Sequence, residues 1–489
     1  ALRARGPRVR RFLAALALAA AALLLLAAEP ARRETVDLVL AAEVVLPMDE
    51  AGSIHRPGAV AIRGGKIVAV GPAADIRARY AGKAVEEPPS RLLMPGLINT
   101  HTHAAMTLLR GLADDLTLDA WLHDHIFPAE AKNVSAQFVY DGTRLAALEM
   151  IQGGTTCFAD MYYFESEAAR AVDEAGLRGV LGETFLDFPV PDHKDLAEAL
   201  AYMSSYAKKW KGHARVVPAV APHAVYTCSR ETLIASRDFA HAHGLPLLIH
   251  ISETRKELED ARTAWKKSPV AYLAEIGFFD PPSSGGRLPI IGAHGVWLEG
   301  PDRTLVKQYG VSLSHCPESN MKLSSGIAET ASWAREGLIW SIGTDGPAGS
   351  NNDLSMFEAM DFTGKLAKVS TSDPTALPAA TIVAAATREG ARSLGLLATI
   401  GTLEPGKDAD VISVSLAGAH VQPWEDPYST LVYSAKASDV QDVWVAGRRL
   451  LKAGRPTTLD SATILKSARA WRERVRKSLA APKAAGGTK

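Results

Sequence analysis

A chain of 489 residues in which 47% of side chains are hydrophobic exceeds what one compact layer architecture needs, so one large domain with a smaller companion is expected. Lysine plus arginine equals aspartate plus glutamate at 54 each, so no global field draws the chain to nucleic acid or an acidic partner. A small uncharged or zwitterionic molecule remains as the partner class.

In chain order, the first segment differs in kind. Arg3, Arg5, Arg8, Arg10 and Arg11 precede an unbroken apolar run over residues 12–28, closed by Glu29-Pro30. That is the layout of an export signal. The run is short and alanine-rich, so cleavage near Ala27 or Ala28 is expected rather than a permanent span. Residues 1–30 are therefore read as an export signal or N-terminal anchor, and the protein as exported, periplasmic or membrane-anchored. Any membrane contact is made through this segment alone, and a cytoplasmic location follows only if the leader is a mis-assigned start.

Residues 36–45, 59–70 and 84–93 then read as short β segments broken by Gly58, Gly64-Gly65, Gly71 and Pro88-Pro89. A matching set returns at 409–414, 431–433 and 440–448, behind the turn 404–407. The two ends, 36–93 and 405–457, are expected to build one β-sandwich together. Between them, over 94–404, apolar runs alternate with amphipathic helical stretches at 96–99, 155–159, 179–182, 216–220, 246–249, 289–292, 310–313 and 338–342. Such alternation argues for parallel βα units, and eight of them close a barrel. The fold class is α/β: a (β/α)₈ TIM-like barrel with a small β-sandwich domain. Residues 458–489 supply a basic amphipathic helix at 462–480, packed on the outside, and a disordered end. Cys157, Cys228 and Cys316 are too few and too scattered for a disulfide framework and read as small buried hydrophobes.

Metal-competent residues sit just after the strand-like runs: His101, His103, Asp160, Glu183, His223, His250, Glu253, His294, His315 and Asp345. In a barrel of this kind the functional face is the rim at the C-terminal ends of the strands. Three His-x-His triplets allow a geometric choice. His123/His125 and His241/His243 lie in helical patterns, where residues two apart point in nearly opposite directions. His101/His103 ends a strand, where i and i+2 share a face, so this pair can chelate one ion.

A catalytic zinc or iron(II) site uses about three or four protein ligands and leaves a position for water. His250 and Asp345, at the ends of the fifth and eighth runs, complete the set. A bound divalent ion lowers the pKa of water to about 7. Glu253, three residues beyond His250, is placed to move that proton, with burial raising its pKa. His294 either orients the water, the preferred reading, or is itself a ligand. No lysine ends the fourth run, where residues 220–223 read Val-Ala-Pro-His, so one metal is expected rather than a carbamate-bridged pair.

The stretches 94–103 (MPGLINTHTH), 250–254 (HISET), 292–295 (GAHG), 314–323 (SHCPESNMKL) and 343–347 (GTDGP) carry a resemblance. The chain resembles the amidohydrolase superfamily, and within it the S-adenosylhomocysteine/5′-methylthioadenosine deaminase branch, over residues 36–455. The resemblance implies His101, His103, His250 and Asp345 as ligands of one divalent ion, zinc first, with Fe(II) or Mn as alternatives. It makes Glu253 the proton shuttle to a ring nitrogen, His294 the water-orienting helper and Asp345 the first proton acceptor. It further implies His223 as a substrate contact, Glu130 as acceptor of hydrogen bonds from ribose hydroxyls, and Ser350 as a further substrate contact. Two departures stand out. Residues 183–192 lack the arginine that in some members holds the amino-acid carboxylate of S-adenosylhomocysteine, and Gly349 is an insertion before Ser350.

The expected activity is hydrolytic deamination of an adenosine-type substrate: 5′-methylthioadenosine, S-adenosylhomocysteine, 5′-deoxyadenosine or adenosine. The products are the inosine analogue and ammonia. The rival is hydrolysis of another amino- or halo-substituted heterocycle, such as guanine or a triazine, or of a cyclic amide, with the same machinery. A non-catalytic binding barrel would have lost ligands, and here all are present. Homo-oligomerisation is compatible with this reading.

Overall fold

The computed structural model describes residues 33–480 and, before them, Phe12 alone. The export signal and the disordered C-terminal end expected from the sequence lie outside the described residues, Phe12 apart. Among the described residues no helix is long and apolar enough to cross a membrane.

Eight parallel strands run in consecutive order around one sheet: Leu97–Thr102, Thr155–Tyr162, Arg178–Phe185, Val216–Pro222, Leu247–Ile251, Ile290–His294, Ser312–His315 and Trp340–Ile342. Each overlaps one of the apolar runs. Nearly every strand residue is buried, as expected when the inside is packed and helices cover the outside. Ile98, Cys157, Ala159, Val180, Ala219, Leu248 and Ile291 form one apolar cluster, closed by Ala391, Leu394 and Ile400. The mixture of small and branched side chains is what a barrel interior of this girth accommodates.

The first and eighth strands meet through mixed bonds rather than a regular ladder. Asp345 N–H donates to the His101 carbonyl at 3.0 Å, Thr344 N–H to Asn99 Oδ1 at 3.1 Å, and Thr100 Oγ1 to the Ile342 carbonyl at 3.0 Å. Gly343 permits this approach, because a Cβ there would sit 2.8 Å from the His101 nitrogen. This seam sets two ligand candidates, His101 and Asp345, side by side.

Two smaller sheets lie beside the barrel. One has four strands, Lys66–Pro72, Gly58–Arg63, Glu34–Ala42 and Tyr80–Glu86, all from the N-terminal part. The other has six and mixes both ends of the chain, with Val411–Ser415 antiparallel to both Arg91–Pro95 and Val440–Val445. Leu40, Ile62 and Ile67 of the first pack with Leu93, Val411 and Trp444 of the second. Two sequence expectations need correction. The segment read at 84–93 is two strands in different sheets, separated where Pro88-Pro89 cannot donate to a ladder. Residues 431–433 are not a strand but lie in the helical turn Thr430–Ser434. A short apolar run fits either structure, and here Asp426 caps the preceding turn by accepting from Ser429 N–H at 2.8 Å.

The helix Ser461–Ala480 buries Ile464, Trp471 and Val475 at helical spacing. Trp471 packs edge-to-face on Phe138, with ring centroids 5.2 Å apart, and its indole N–H donates to Asp141 at 2.8 Å.

Candidate active site

The strand ends bring the predicted residues to one rim. His101 lies within the last turn of chain of the first barrel strand and His103 just beyond it; His250 lies in the fifth, and Asp345 follows the eighth. His101 Nε2 and His103 Nε2 each stand 3.3 Å from Asp345 Oδ1, and His250 Nε2 stands 3.3 Å from His103 Nε2. One donor atom from each of His101, His103 and His250 falls within 4.8 Å of the others, and the same holds for His101, His294 and Asp345.

The outer hydrogen bonds fix how these rings face. His103 Nδ1–H donates to the Met161 carbonyl at 2.5 Å and His250 Nδ1–H to the His223 carbonyl at 2.9 Å. Carbonyls only accept, so each Nδ1 carries the proton and each Nε2 presents a lone pair to the centre. Two lone pairs 3.3 Å apart require something positive between them. His101 Nε2 is buried with no hydrogen-bond partner, an orphan of the kind a metal ion satisfies.

The charge balance agrees. Burial pushes the pKa of His101 down to about 4 and that of His250 well below the ordinary histidine value, keeping both rings neutral as ligands must be. Burial alone would raise Asp345, but the close approach of His101 and His103 holds it well below the usual carboxylate range. Burial likewise opposes the charge on His103, yet the contact with Asp345 outweighs it and its pKa is raised. One positive charge is thus wanted among these groups, where a bound divalent ion would supply it. Three imidazoles and one carboxylate suit zinc, iron(II) or manganese.

Around this cluster stand residues that position the others. Asp345 Oδ2 accepts from Ser319 Oγ at 2.5 Å, and Asn320 Oδ1 accepts from His294 Nδ1–H at 3.0 Å; both come from the helix Pro317–Lys322. His294 Nε2 is then 3.8 Å from Glu253 Oε2. The Glu257 carboxylate accepts from Ser252 N–H at 3.0 Å and Glu253 N–H at 2.7 Å, holding the chain that carries Glu253. Ser252, His294 and Asp345 have φ of 51°, 74° and 64°, left-handed values that side chains adopt at a cost and that cluster at functional sites. Burial raises the pKa of Glu253, as a group that must both give and take a proton requires. Ser319, Asn320 and Glu257 carry no role in the sequence reading. Two of them lie in the quoted SHCPESNMKL stretch, which was the available signal.

A cleft opens onto the cluster. His103, His223, His250, Glu253, His294, Asp345, Glu130 and Ser350 all line it. The walls are apolar and aromatic: Trp121, Leu122 and Phe127 on one segment, Tyr162 and Tyr163 at the end of the second strand, and Tyr226. Among the described residues no lysine or arginine lines it. Glu130 is buried and accepts from Tyr162 Oη–H at 2.7 Å; burial raises its pKa to about 7. His223 shares a hydrogen bond with Thr227 Oγ1 at 2.9 Å, and burial lowers its pKa to about 3, so the ring is neutral. Ser350 Oγ donates to the Gly346 carbonyl at 2.7 Å. The inserted Gly349 has φ of 109°, and a Cβ there would meet the Ala113 carbonyl oxygen at 1.8 Å, so the loop is pressed on the opposite wall.

Other rim residues stay apart. Asp160 accepts from Thr102 Oγ1 at 2.9 Å and Ala104 N–H at 2.7 Å, bracing the turn at His103. His315 packs edge-to-face on Trp333 and Glu183 joins a separate cluster. The two helix-borne triplets do not join: His241/His243 ends the helix Arg230–His243, and His123/His125 lies in the π-helical turn Trp121–Ile126, with both His123 and His125 exposed.

Comparison with known proteins gives a consistent picture. The sequence model described as Amidohydrolase family matches residues 92–450. A 5-methylthioadenosine/S-adenosylhomocysteine deaminase of Thermodesulfovibrio yellowstonii is 42% identical, covering 90% of this chain and 99% of its own. A 5′-deoxyadenosine deaminase of Methanosarcina mazei is 41% identical, covering 88% of this chain and 96% of its own. A solved structure described as an adenosine deaminase from Xanthomonas campestris with bound zinc superposes with a TM-score of 0.88 at 39% identity, covering 91% of this chain and 100% of that one. An atrazine chlorohydrolase from Arthrobacter aurescens, at 20% identity and a TM-score of 0.80, shares the fold, covering 89% of this chain and 100% of that one.

Proposed function

The chain belongs to the amidohydrolase family, and from that footing we propose that it is a zinc-dependent hydrolytic deaminase of adenosine-type nucleosides. The observation that carries the reading is the convergence of His101, His103, His250 and Asp345, with the unpartnered His101 Nε2 among them, at the floor of a cleft that also holds Glu253, His294 and Glu130. The zinc named for the 39% identical structure supports that ion over iron or manganese.

A divalent ion held by these four residues would activate a water near neutral pH, with a pKa of about 7. Asp345, ionised and adjacent, accepts the first proton. Glu253 delivers a proton to the ring nitrogen beside the amino-bearing carbon; of the water's two protons, the one on the added hydroxyl restores Glu253 and the one held on Asp345 goes to the departing amine. His294, anchored through Asn320, fixes the water for attack on that carbon. Water adds, ammonia leaves, and the inosine-type ring remains. The aromatic walls exclude solvent from the base, while Glu130 receives the ribose hydroxyls, with His223 and Ser350 as further contacts. With no lysine or arginine among the described residues that line the cleft, an amino-acid carboxylate finds no permanent counter-ion, which favours uncharged 5′ groups over S-adenosylhomocysteine.

Ammonia release is the test, measured for adenosine, 5′-deoxyadenosine, 5′-methylthioadenosine, S-adenosylhomocysteine, guanine and a chlorotriazine. Turnover is expected for the adenosine derivatives, greatest with an uncharged 5′ group; no turnover of any of them would overturn the proposal. Export of the chain is part of the same reading, supported by the arginine-led apolar run of residues 1–30, and fractionation of cells expressing the protein with and without that segment decides it.

A further inference from the structure

We propose that a buried cluster behind the cleft wall, formed by Glu183, Asp192 and His193, binds a divalent transition-metal ion that pins the loop carrying Phe188. One donor atom from each of the three lies within 4.8 Å of the others. The side chains of His193 and Asp192 are 0% and 1% exposed, and Glu183 is 0% exposed.

The cluster forms where the second and third barrel strands end. Thr184 of the same strand lines the cleft, so alternation along the strand turns its neighbour Glu183 to the opposite face, away from the catalytic residues. Backbone amides at the start of the helix Glu165–Ala175 hold two of the carboxylates: Glu165 N–H donates to Glu183 Oε2 at 3.0 Å, and Phe164 N–H to Asp192 Oδ2 at 2.6 Å. Donors of this kind favour the ionised form. His193 Nδ1 shares its proton with Asp192 Oδ1 at 2.8 Å, which leaves Nε2 as the bare nitrogen.

What remains is a set of buried atoms with no partner: Glu183 Oε1, His193 Nε2 and both carboxylate oxygens of Glu165. Neither Glu183 nor Glu165 forms an ion pair with a lysine or arginine among the described residues, and Asp192 pairs only with His193. Native proteins neutralise such groups with a counter-ion, a metal or protons. Burial opposes the charge on Asp192, but the hydrogen bonds from His193 and Glu183 hold it below the usual carboxylate range, while burial and the adjacent Asp192 push Glu183 well above it, so a cation binding here would displace the Glu183 proton. An imidazole beside two or three carboxylates selects zinc or manganese over calcium or magnesium, which take oxygen ligands.

The consequence is positional. Residues 186–195 connect the third strand to the helix Leu196–Trp210, and both Asp192 and His193 sit on this connection. Phe188, on the same connection, packs edge-to-face on the cleft residue Phe127 at 5.4 Å. An ion at Glu183 would tie the loop to the barrel and so keep Phe127 in place. Its loss is expected to raise KM and leave kcat near the parent value.

The test counts metal on the full chain. Protein stripped with chelator, reloaded with zinc and desalted is expected to hold two ions per chain by mass spectrometry of the metal. The Glu183→Gln/His193→Asn double variant should hold one, with a several-fold higher KM, and His101→Asn should hold the other one and lose activity. A single ion in the parent chain, or an unchanged count in the double variant, overturns the proposal. Should the double variant not fold, anomalous diffraction at the zinc edge from parent crystals decides: a peak among Glu183, Asp192 and His193 supports the site, and its absence refutes it. Activity of the parent chain reports on the deaminase reading separately, so the two can fail independently.

Discussion

Glu130→Gln separates nucleoside recognition from the metal chemistry. Glu130 is 4% exposed, accepts the Tyr162 hydroxyl and has its pKa raised by burial from 4.5 to about 7. A ribose diol offers two O–H donors, which the carboxylate can accept and the neutral acid cannot accept as well. The wild-type kcat/KM for adenosine should therefore fall as pH drops below about 7, because that ratio reports the free enzyme. Glutamine keeps the shape and loses the charge. A hydrogen bond to a charged group contributes about 1.5–3 kcal/mol, so kcat/KM should drop roughly 10- to 150-fold at high pH. The loss should appear in KM, with kcat nearly unchanged, and the acidic limb belonging to Glu130 should vanish.

Stability moves the other way. A carboxyl whose folded pKa is raised contributes stability that is present below its unfolded value of 4.5 and lost as pH rises through about 7. At about 1.36 kcal/mol per pH unit, keeping Glu130 ionised above neutrality costs about 3 kcal/mol. The glutamine variant should then melt above wild type on the alkaline side and level with it in acid. The assay compares adenosine with 2′,3′-dideoxyadenosine across the neutral range. If the substitution depresses turnover of the dideoxy analogue as much as that of the riboside, or leaves the pH profile unaltered, the ribose contact is refuted.

Three further outcomes follow from the packing. Ser319→Ala removes the 2.5 Å hydrogen bond to Asp345 Oδ2, and loss of such a support should weaken metal affinity about 10- to 100-fold, read by competition with a chromogenic chelator. Gly349→Ala places a Cβ 1.8 Å from the Ala113 carbonyl at φ 109°; strain plus overpacking should cost about 3 kcal/mol, lowering Tm and raising KM, and an unchanged Tm would contradict the packing. Trp471→Ala empties the contact with Phe138 and the bond to Asp141, so about 3 kcal/mol should be lost from thermal stability while kcat/KM stays at the parent value.

The parts of this site legible in the sequence are those in which local period and function coincide. His101 and His103 are legible as a neighbouring pair because alternation along a strand is a local property, and the same rule separates His241 and His243 on their helix. His250, Glu253, His294 and Asp345 stand out in the sequence because each follows closely on an apolar run, and the structure places all four at the cleft. Glu257 lies four residues past Glu253 yet was passed over, since a buried acid on a helix looks like any exposed one until its two amide donors are seen. Ser319 and Asn320 reach groups 26 residues away, a relation set by where the seventh strand falls against the sixth and eighth. The strand misread at 431–433 has the same origin, because three apolar residues carry no period and the cap at Asp426 decides the outcome. Glu183 shows the limit in the other direction. Its place near a strand end marked it as a rim residue alongside the ligands, but alternation turns it away from the cleft face that Thr184 occupies, and the chain returning through Asp192 and His193 closes over it in a cluster whose charge no lysine or arginine among the described residues pairs. Position at the rim therefore selects candidates for chemistry, and only the partners brought by distant segments sort those that face the substrate from those that hold the wall.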